Sequence, residues 1–185
     1  MDRSDLIKNI QDFLDLLGFH GEHFKDTPRR IADYWEDRFK LLAENETKLQ
    51  TGIFLSQDDL VVLANIEING ICSHHLQPFW GKAYVSYIST GKMLGLSKLA
   101  RIVKKHAAMP TVQEKITFSV AADVKALAET PHVAVITEAL HSCVWLRGVH
   151  SKSPAIVSTM LGYFREREHV RREFMELIAP YRTKT

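Results

Sequence analysis

The chain has 185 residues, of which 45% are hydrophobic and 25% charged, and its formal net charge is +2. These values are typical of a soluble globular protein, and the charge is too small to indicate a nucleic-acid-binding surface by itself. No apolar signal region and no run long enough to cross a membrane is visible. We therefore expect a cytoplasmic protein with no nucleic-acid or membrane partner, in which Cys72 and Cys143 are thiols or metal ligands rather than a disulfide.

The first fifty residues are predicted to form a helical region. Apolar residues recur at helical spacing over residues 4–17, and a second helix is predicted over about 27–43. The polar stretch 44–51 is interpreted as a connector. We accordingly expect an N-terminal helical region, 1–50, followed by the main domain, 51–185.

Beyond residue 51 the apolar pattern changes to that of alternating strands and helices. The predicted elements are strands at 59–69 and 81–88, helices at 97–108 and 111–127, strands at 132–144 and 153–161, and a last helix at 166–178. This order predicts an α+β fold with two helices on one face of a mostly antiparallel sheet. The edges of such a sheet are often covered by oligomerisation.

Two short stretches carry cysteine and histidine together. Cys72 and His75 are separated by two residues, so one turn can offer a sulfur and a nitrogen to one ion. His141 and Cys143 lie two apart on a predicted strand, where they would share a face. Sulfur and imidazole ligands favour zinc, but the spacing leaves open whether His74 or His141 is also a ligand. It also leaves open a structural site, a catalytic site with an open position, or a buried cysteine with surface histidines.

Two helix beginnings carry further candidate binding residues. Ser97 is a plausible N-cap, and Lys98 and Arg101 lie on one face of that helix, which suits an anion or, equally, a solvated basic surface. Glu114 has capping-box spacing, which would give it a structural role. Its carboxylate can alternatively bind a donor pair such as that of guanine, with an amide contact from Gln113.

Two arginines stand out by position. Arg147 follows Cys143 by four residues and can bring positive charge close to a metal. Arg30 lies in the first turn of its helix, where a cation opposes the helix dipole. Its placement indicates a nearby anion, although an exposed arginine is usually just solvated.

Taken together, six stretches resemble the GTP cyclohydrolase I family. They are DTPRRIA, CSHHLQPFWGKAYVSYI, GLSKLARIV, VQEKIT, AVITEALHSCVWLRG and STMLGYF. They occur in the family's order, and the resemblance covers roughly residues 24–177. The resemblance implies a four-stranded antiparallel sheet with two helices on one face, of the tunnelling-fold type. An N-terminal helical pair would precede it and a C-terminal helix would follow. The resemblance further implies a homodecamer with active sites shared between subunits.

The resemblance also implies roles for individual residues. A catalytic zinc ion would be held by Cys72, His75 and Cys143, which leaves His74 and His141 for proton transfer. The implied substrate contacts are Arg30, Ser97, Lys98, Arg101 and Arg147 with the triphosphate or ribose, and Gln113 and Glu114 with guanine. The implied reaction hydrolyses GTP to formate and 7,8-dihydroneopterin triphosphate, a first step towards folate, another pterin or a deazaguanine.

The chain departs from the family pattern at Ser73, where the family usually has glutamate. A serine can accept a hydrogen bond but brings no charge. Catalysis would weaken if that glutamate orients a histidine, and would change little if it faces a neighbouring subunit. Two alternatives therefore stay open: a relative that acts on another purine nucleotide or stops at the ring-opened formamide, and a non-catalytic pterin- or nucleotide-binding oligomer with structural zinc.

Overall fold

The computed structural model describes residues 2–50, 52–55 and 59–182. It divides the chain into two compact units, Met1–Leu41 and Leu42–Thr185. The boundary lies inside helix α2 (Thr27–Thr47), which continues past the predicted end near residue 43. The first part of the predicted connector is therefore helical, and a 3-10 turn (Lys48–Gln50) follows it. Within the described ranges, no helix is long and apolar enough to cross a membrane.

The first unit consists of helix α1 (Arg3–Leu16), a 3-10 turn (Glu22–Phe24) and the first part of α2. Asp33 on α2 accepts hydrogen bonds from Arg29 of the same helix and from Arg3 of α1. The predicted helical pair is thus present, and an ion-pair network joins its two members.

The second unit is built on two sheets. Its strands are β1 (Ile53–Leu55), β2 (Leu60–Cys72), β3 (Pro78–Ile88), β4 (Lys92–Leu94), β5 (Pro110–Thr111), β6 (Val133–His141) and β7 (Ala155–Met160). The main sheet has the order β5-β2-β3-β6-β7, and β1 pairs with β4 in a separate two-stranded sheet. Strands β2, β3, β6 and β7 pair antiparallel, as predicted.

The prediction of a four-stranded sheet is wrong by one short strand. β5 pairs in parallel with the end of β2, where Ile71 lies opposite Pro110 and Cys72 opposite Thr111. A proline has no N–H group to donate, so it is tolerated at a sheet edge such as this one. The fifth strand lies directly beside the turn that carries the candidate metal ligands.

Helices cover both faces of the main sheet. Helices α3 (Leu96–Ala107) and α4 (Gln113–Leu127) pack on one face, where residues such as Val85, Val135 and Ile102 form the larger core. The opposite face is covered by α6 (Tyr163–Glu166) and α7 (Glu168–Ile178). Alternate strand residues point to opposite faces. Neighbouring residues of one strand therefore enter different cores.

The predicted strand 132–144 ends earlier than expected. β6 stops at His141, and the chain enters a one-turn helix, α5 (Ser142–Trp145). Ser142 fixes this change of direction, because its hydroxyl donates to the carbonyl of Pro78 at 2.5 Å. The prediction that His141 and Cys143 share one strand face is therefore wrong, and the turn of α5 directs Cys143 instead.

Candidate metal centre and active site

A closed turn follows Cys72 and joins β2 to β3. The N–H of Cys72 donates to the carbonyl of Gln77, and the N–H of Leu76 donates to the carbonyl of Cys72, both at 2.8 Å. Leu76 has a φ of +52°, in the left-handed region that non-glycine residues rarely adopt. On the other side, Ser73 donates its N–H to Thr111 of β5 at 3.0 Å. These bonds fix the direction of the side chains in the turn.

Cys72, His75 and Cys143 form a group of potential metal ligands. One ligand atom from each residue lies within 4.8 Å of the other two, with both cysteines buried and His75 exposed. Zinc–sulfur bonds of about 2.3 Å in a tetrahedron place two sulfurs about 3.8 Å apart, so this donor set fits a zinc ion. Burial and the neighbouring Cys72 raise the pKa of the Cys143 thiol. A bound cation would have the opposite effect, because it stabilises the thiolate.

Two further predicted residues lie beside this group. His74 Nδ1 is 3.9 Å from the sulfur of Cys72, the same distance as His75 Nδ1, but His74 is outside the three-atom ligand group. Arg147 donates from Nη1 to Nε2 of His75 at 2.5 Å. The structure therefore brings the predicted arginine charge into contact with a candidate ligand.

His141 occupies the last position of β6. Its ring stacks on Phe79 with the centroids 4.7 Å apart and an angle of 14° between the planes. Its Nε2 lies 2.8 Å from Oε1 of Gln113. Burial lowers the pKa of His141, and the carboxylate of Glu114 partly offsets this. The ring is therefore held in a defined position by Phe79 of β3 and Gln113 of α4.

Gln113 is itself buried, with 2% of its surface exposed. Its Nε2 donates to the carbonyl and hydroxyl oxygens of Thr137, at 3.1 and 3.0 Å, and to the carbonyl of Ala155 at 3.1 Å. Both the oxygen and the nitrogen of this amide are thus engaged by protein groups. The neighbouring Glu114 is exposed.

The two predicted side-chain caps do not form. The N-cap of α4 is Val112, with no side-chain hydrogen bond, because Thr111 is held one residue earlier in β5. The N-cap of α3 is Gly95, so Ser97 lies inside the first turn. Glu114 accordingly has no capping partner to hold its carboxylate at the backbone.

The predicted phosphate-binding residues of α3 share one cavity of about 320 Å³. Ser97, Lys98 and Arg101 line it together with Lys48, Gly52, Phe54 and Gly95. Lys98 is only 4% exposed and donates to the carbonyl of Lys48. Burial, followed by the charge of Arg101, lowers the pKa of Lys98. We call the cavity lined by Lys98 and Arg101 the cation cavity. Among the residues that the structure describes, its lining includes none of the candidate metal ligands.

Sequence reasoning missed the residues that support His141. A Cβ atom on Gly70 would lie 2.2 Å from Cζ of Phe79, so only glycine lets this ring lie across β2. A glycine inside a strand often marks such a close approach, and this signal was available. Thr137 has no such signal, because a threonine in a strand is ordinary.

Comparison with known proteins gives consistent results. The sequence model of one family, GTP cyclohydrolase I, matches residues 7–179. The chain is 35% identical over 184 residues to GTP cyclohydrolase 1 of Hyperthermus butylicus, which covers 98% of this chain and 94% of that protein. It is 38% identical to GTP cyclohydrolase 1 1 of Pseudomonas syringae pv. tomato, with coverage of 97% and 99%. For GTP cyclohydrolase 1 of Sulfurihydrogenibium sp. the identity is 36%, with coverage of 96% for each chain. The range matched by the family contains every candidate site residue.

Proposed function

The chain belongs to the GTP cyclohydrolase I family and is an enzyme of the hydrolase class, and from this premise we propose that it converts GTP to formate and 7,8-dihydroneopterin triphosphate. Cys72, His75 and Cys143 would hold a catalytic zinc ion. The observation that carries the proposal is this three-residue group, because three protein ligands leave one position of a tetrahedral metal open.

The proposed chemistry is two hydrolytic steps at C8 of guanine. When bound, zinc supplies Lewis acidity that lowers the pKa of a water molecule towards neutrality. His141, held by Phe79 and Gln113, is the proton-transfer group for the departing ring nitrogen. His74 and Ser97 are proposed to move protons while the ribose opens and rearranges. Two water molecules are consumed and ring closure returns one, so the net reaction uses one water and releases one formate.

Substrate recognition is assigned to two groups of residues. Glu114 is exposed, and its carboxylate suits the paired N–H donors of guanine. Lys98, Arg101 and Arg147 suit the triphosphate because they supply charge-assisted hydrogen bonds. Arg30 belongs to the first unit, where its guanidinium lies 3.6 Å from the carboxylate of Asp26. A phosphate contact from Arg30 is proposed on the family resemblance alone.

We further propose a cytoplasmic homodecamer of the tunnelling-fold type, with active sites shared between subunits. The sharing of active sites between subunits is proposed on the family resemblance. Light scattering coupled to size-exclusion chromatography measures the assembly, and a monomer with full turnover would contradict a shared site.

The function is tested with purified, zinc-loaded protein and GTP. We expect equimolar formate and a product with the mass of dihydroneopterin triphosphate, both stopped by a chelator and restored by zinc. Ser73 is exposed, and its backbone N–H donates to the carbonyl of Thr111. The same experiment therefore tests whether a serine side chain at this position, in place of the family's glutamate, changes the reaction. Accumulation of GTP plus one water, without formate, would favour the truncated reaction. GTP binding with no turnover would favour the non-catalytic oligomer.

A further inference from the structure

We propose that Gln113 is a positioning residue that fixes the orientation of the His141 ring and holds it in the tautomer with its proton on Nε2 and its lone pair on Nδ1. The inference rests on the proposed function and changes the part that Gln113 has in it. The family resemblance implies contact with guanine for Gln113, whereas its contacts in this chain are with the protein.

The surroundings of Gln113 fix which way its amide points. Its nitrogen lies 3.0–3.1 Å from three oxygens, of which two are the backbone carbonyls of Thr137 and Ala155. Carbonyl oxygens only accept hydrogen bonds, so the NH2 group must face them. The reversed amide would place its oxygen against both carbonyls. Oε1 of Gln113 therefore faces His141.

The direction of the amide in turn fixes the tautomer of His141. Oε1 of Gln113 can only accept, so Nε2 of His141, at 2.8 Å, must donate. A neutral imidazole carries one N–H, and Nδ1 therefore keeps its lone pair. The same hydrogen bond fixes the direction of the ring as well as its tautomer, as the hydrogen-bonded partners of functional histidines do.

Two buried threonines hold Gln113, and each hydrogen bond between these residues has one donor and one acceptor. Thr117 donates its hydroxyl to the carbonyl of Gln113 at 2.9 Å. The hydroxyls of Thr117 and Thr137 are 2.8 Å apart, so Thr137 donates to Thr117 while accepting from the amide. Both threonines are 0% exposed. Turning Gln113 towards a substrate would break its hydrogen bonds to Thr137 and Ala155.

The adjacent residue offers a matched control. Glu114 follows Gln113 on α4 but is exposed, and it is the proposed guanine contact. Gln113→Leu removes the acceptor for His141 while keeping a side chain of similar size. Glu114→Gln removes the carboxylate from the neighbouring position. Thr137→Val keeps the shape of the buried threonine but removes one acceptor of the Gln113 amide, and it replaces Gln113→Leu if that variant does not fold.

The variants are compared by steady-state kinetics and by solid-state 15N NMR of histidine-labelled, zinc-loaded enzyme, with His141 assigned from a His141→Asn spectrum. We expect the neutral ring of the parent protein to show a protonated Nε2 and an unprotonated Nδ1. Gln113→Leu should abolish this preference and lower kcat by about 10–100-fold, with the KM for GTP nearly unchanged. Thr137→Val should act in the same direction with a smaller effect. Glu114→Gln should raise the KM and leave the tautomer of neutral His141 unchanged.

Two results would overturn the inference. One is an Nδ1–H tautomer in the parent protein, and the other is an unchanged kcat in Gln113→Leu, whether or not the KM rises as a guanine contact requires. Failure of the proposed function is a separate outcome. In that case the parent protein releases no formate from GTP, while the tautomer measurement still decides whether Gln113 positions His141.

Discussion

Replacing Gly70 with alanine tests whether Phe79 supports His141. A Cβ atom at position 70 would lie 2.2, 2.5 and 2.6 Å from three ring carbons of Phe79. Carbon atoms pack at about 3.5 Å or more, so the ring must move by roughly 1.3 Å. Phe79 is 1% exposed, and the side chains of a protein interior are closely packed. Overpacking of this kind costs about 1–3 kcal/mol, which lowers the Tm of a chain of this length by roughly 2–12 °C.

Catalysis should suffer more than stability does. Because His141 stacks on Phe79, a shift of the ring displaces it, and a 1 Å misplacement can cost about 100-fold in rate. Thermal melting followed by circular dichroism gives the Tm, and formate release gives kcat. Adding Phe79→Leu to Gly70→Ala should restore part of the Tm but not kcat, since the stacked ring is lost. A Gly70→Ala protein with the parent Tm and kcat would refute the reasoning.

A second glycine supplies the control for the melting experiment. A Cβ atom on Gly95 would be 3.3 Å from its nearest neighbour, the carbonyl oxygen of Gly52, and Gly95 has a φ of −56° that alanine also adopts. Gly95 is also the N-cap of α3, where alanine is less favourable than glycine by roughly 0.5–1 kcal/mol, so Gly95→Ala should lower the Tm by only about 1–4 °C. Since Gly95 lines the cation cavity, this control is used for stability and not for turnover.

Three further predictions concern the metal ligands, the cation cavity and the dependence of stability on pH. Cys143→Ala should lose bound zinc, measured by mass spectrometry of the metal after dialysis, and keep its circular dichroism spectrum; loss of the folded signal would indicate a structural metal instead. Lys98→Met keeps the buried chain length but removes the charge, so the KM for GTP should rise about tenfold or more while calorimetry shows unchanged guanosine binding. Burial lowers the pKa of His132, whose Nδ1 accepts a hydrogen bond from the N–H of Tyr163 at 3.1 Å. The folded state thus favours the neutral ring, so the contribution to stability is complete above about pH 6.5 and is lost as the pH falls further. In urea unfolding between pH 8 and 5, the free energy of unfolding should therefore fall less in His132→Asn than in the parent protein. The same dependence of this free energy on pH in both proteins would contradict the prediction.

The long elements of the second unit were predictable because each has enough residues to show a period. The four antiparallel strands and both helices on one sheet face follow from apolar spacing alone. The short strands were not predictable in this way. β5 has two residues and β1 and β4 have three each, so these strands are defined by their pairing partners rather than by a repeat.

The positions of the candidate metal ligands could be predicted from the sequence only in part. The spacing of Cys72 and His75 indicates a shared turn, and the structure has one there. The alternation of side chains along a strand does not apply to His141 and Cys143, because the strand ends between them. Cys143 joins the group through the one-turn helix that Ser142 anchors to β3. The local pattern indicated the residue types, whereas a side-chain hydrogen bond between distant residues decided the geometry.

The order of Gln113 and Glu114 at the start of α4 separates two roles that residue type alone does not distinguish. Consecutive helix residues point about 100° apart, so when one faces the sheet the next faces outward. The inward position is surrounded by the carbonyls of Thr137 and Ala155. An amide donates to both, whereas a carboxylate there would place negative charge against two acceptors. Of the two side chains, only the amide of Gln113 can donate hydrogen bonds to these carbonyls. The carboxylate of Glu114 lies at the surface, where it can accept hydrogen bonds from a substrate.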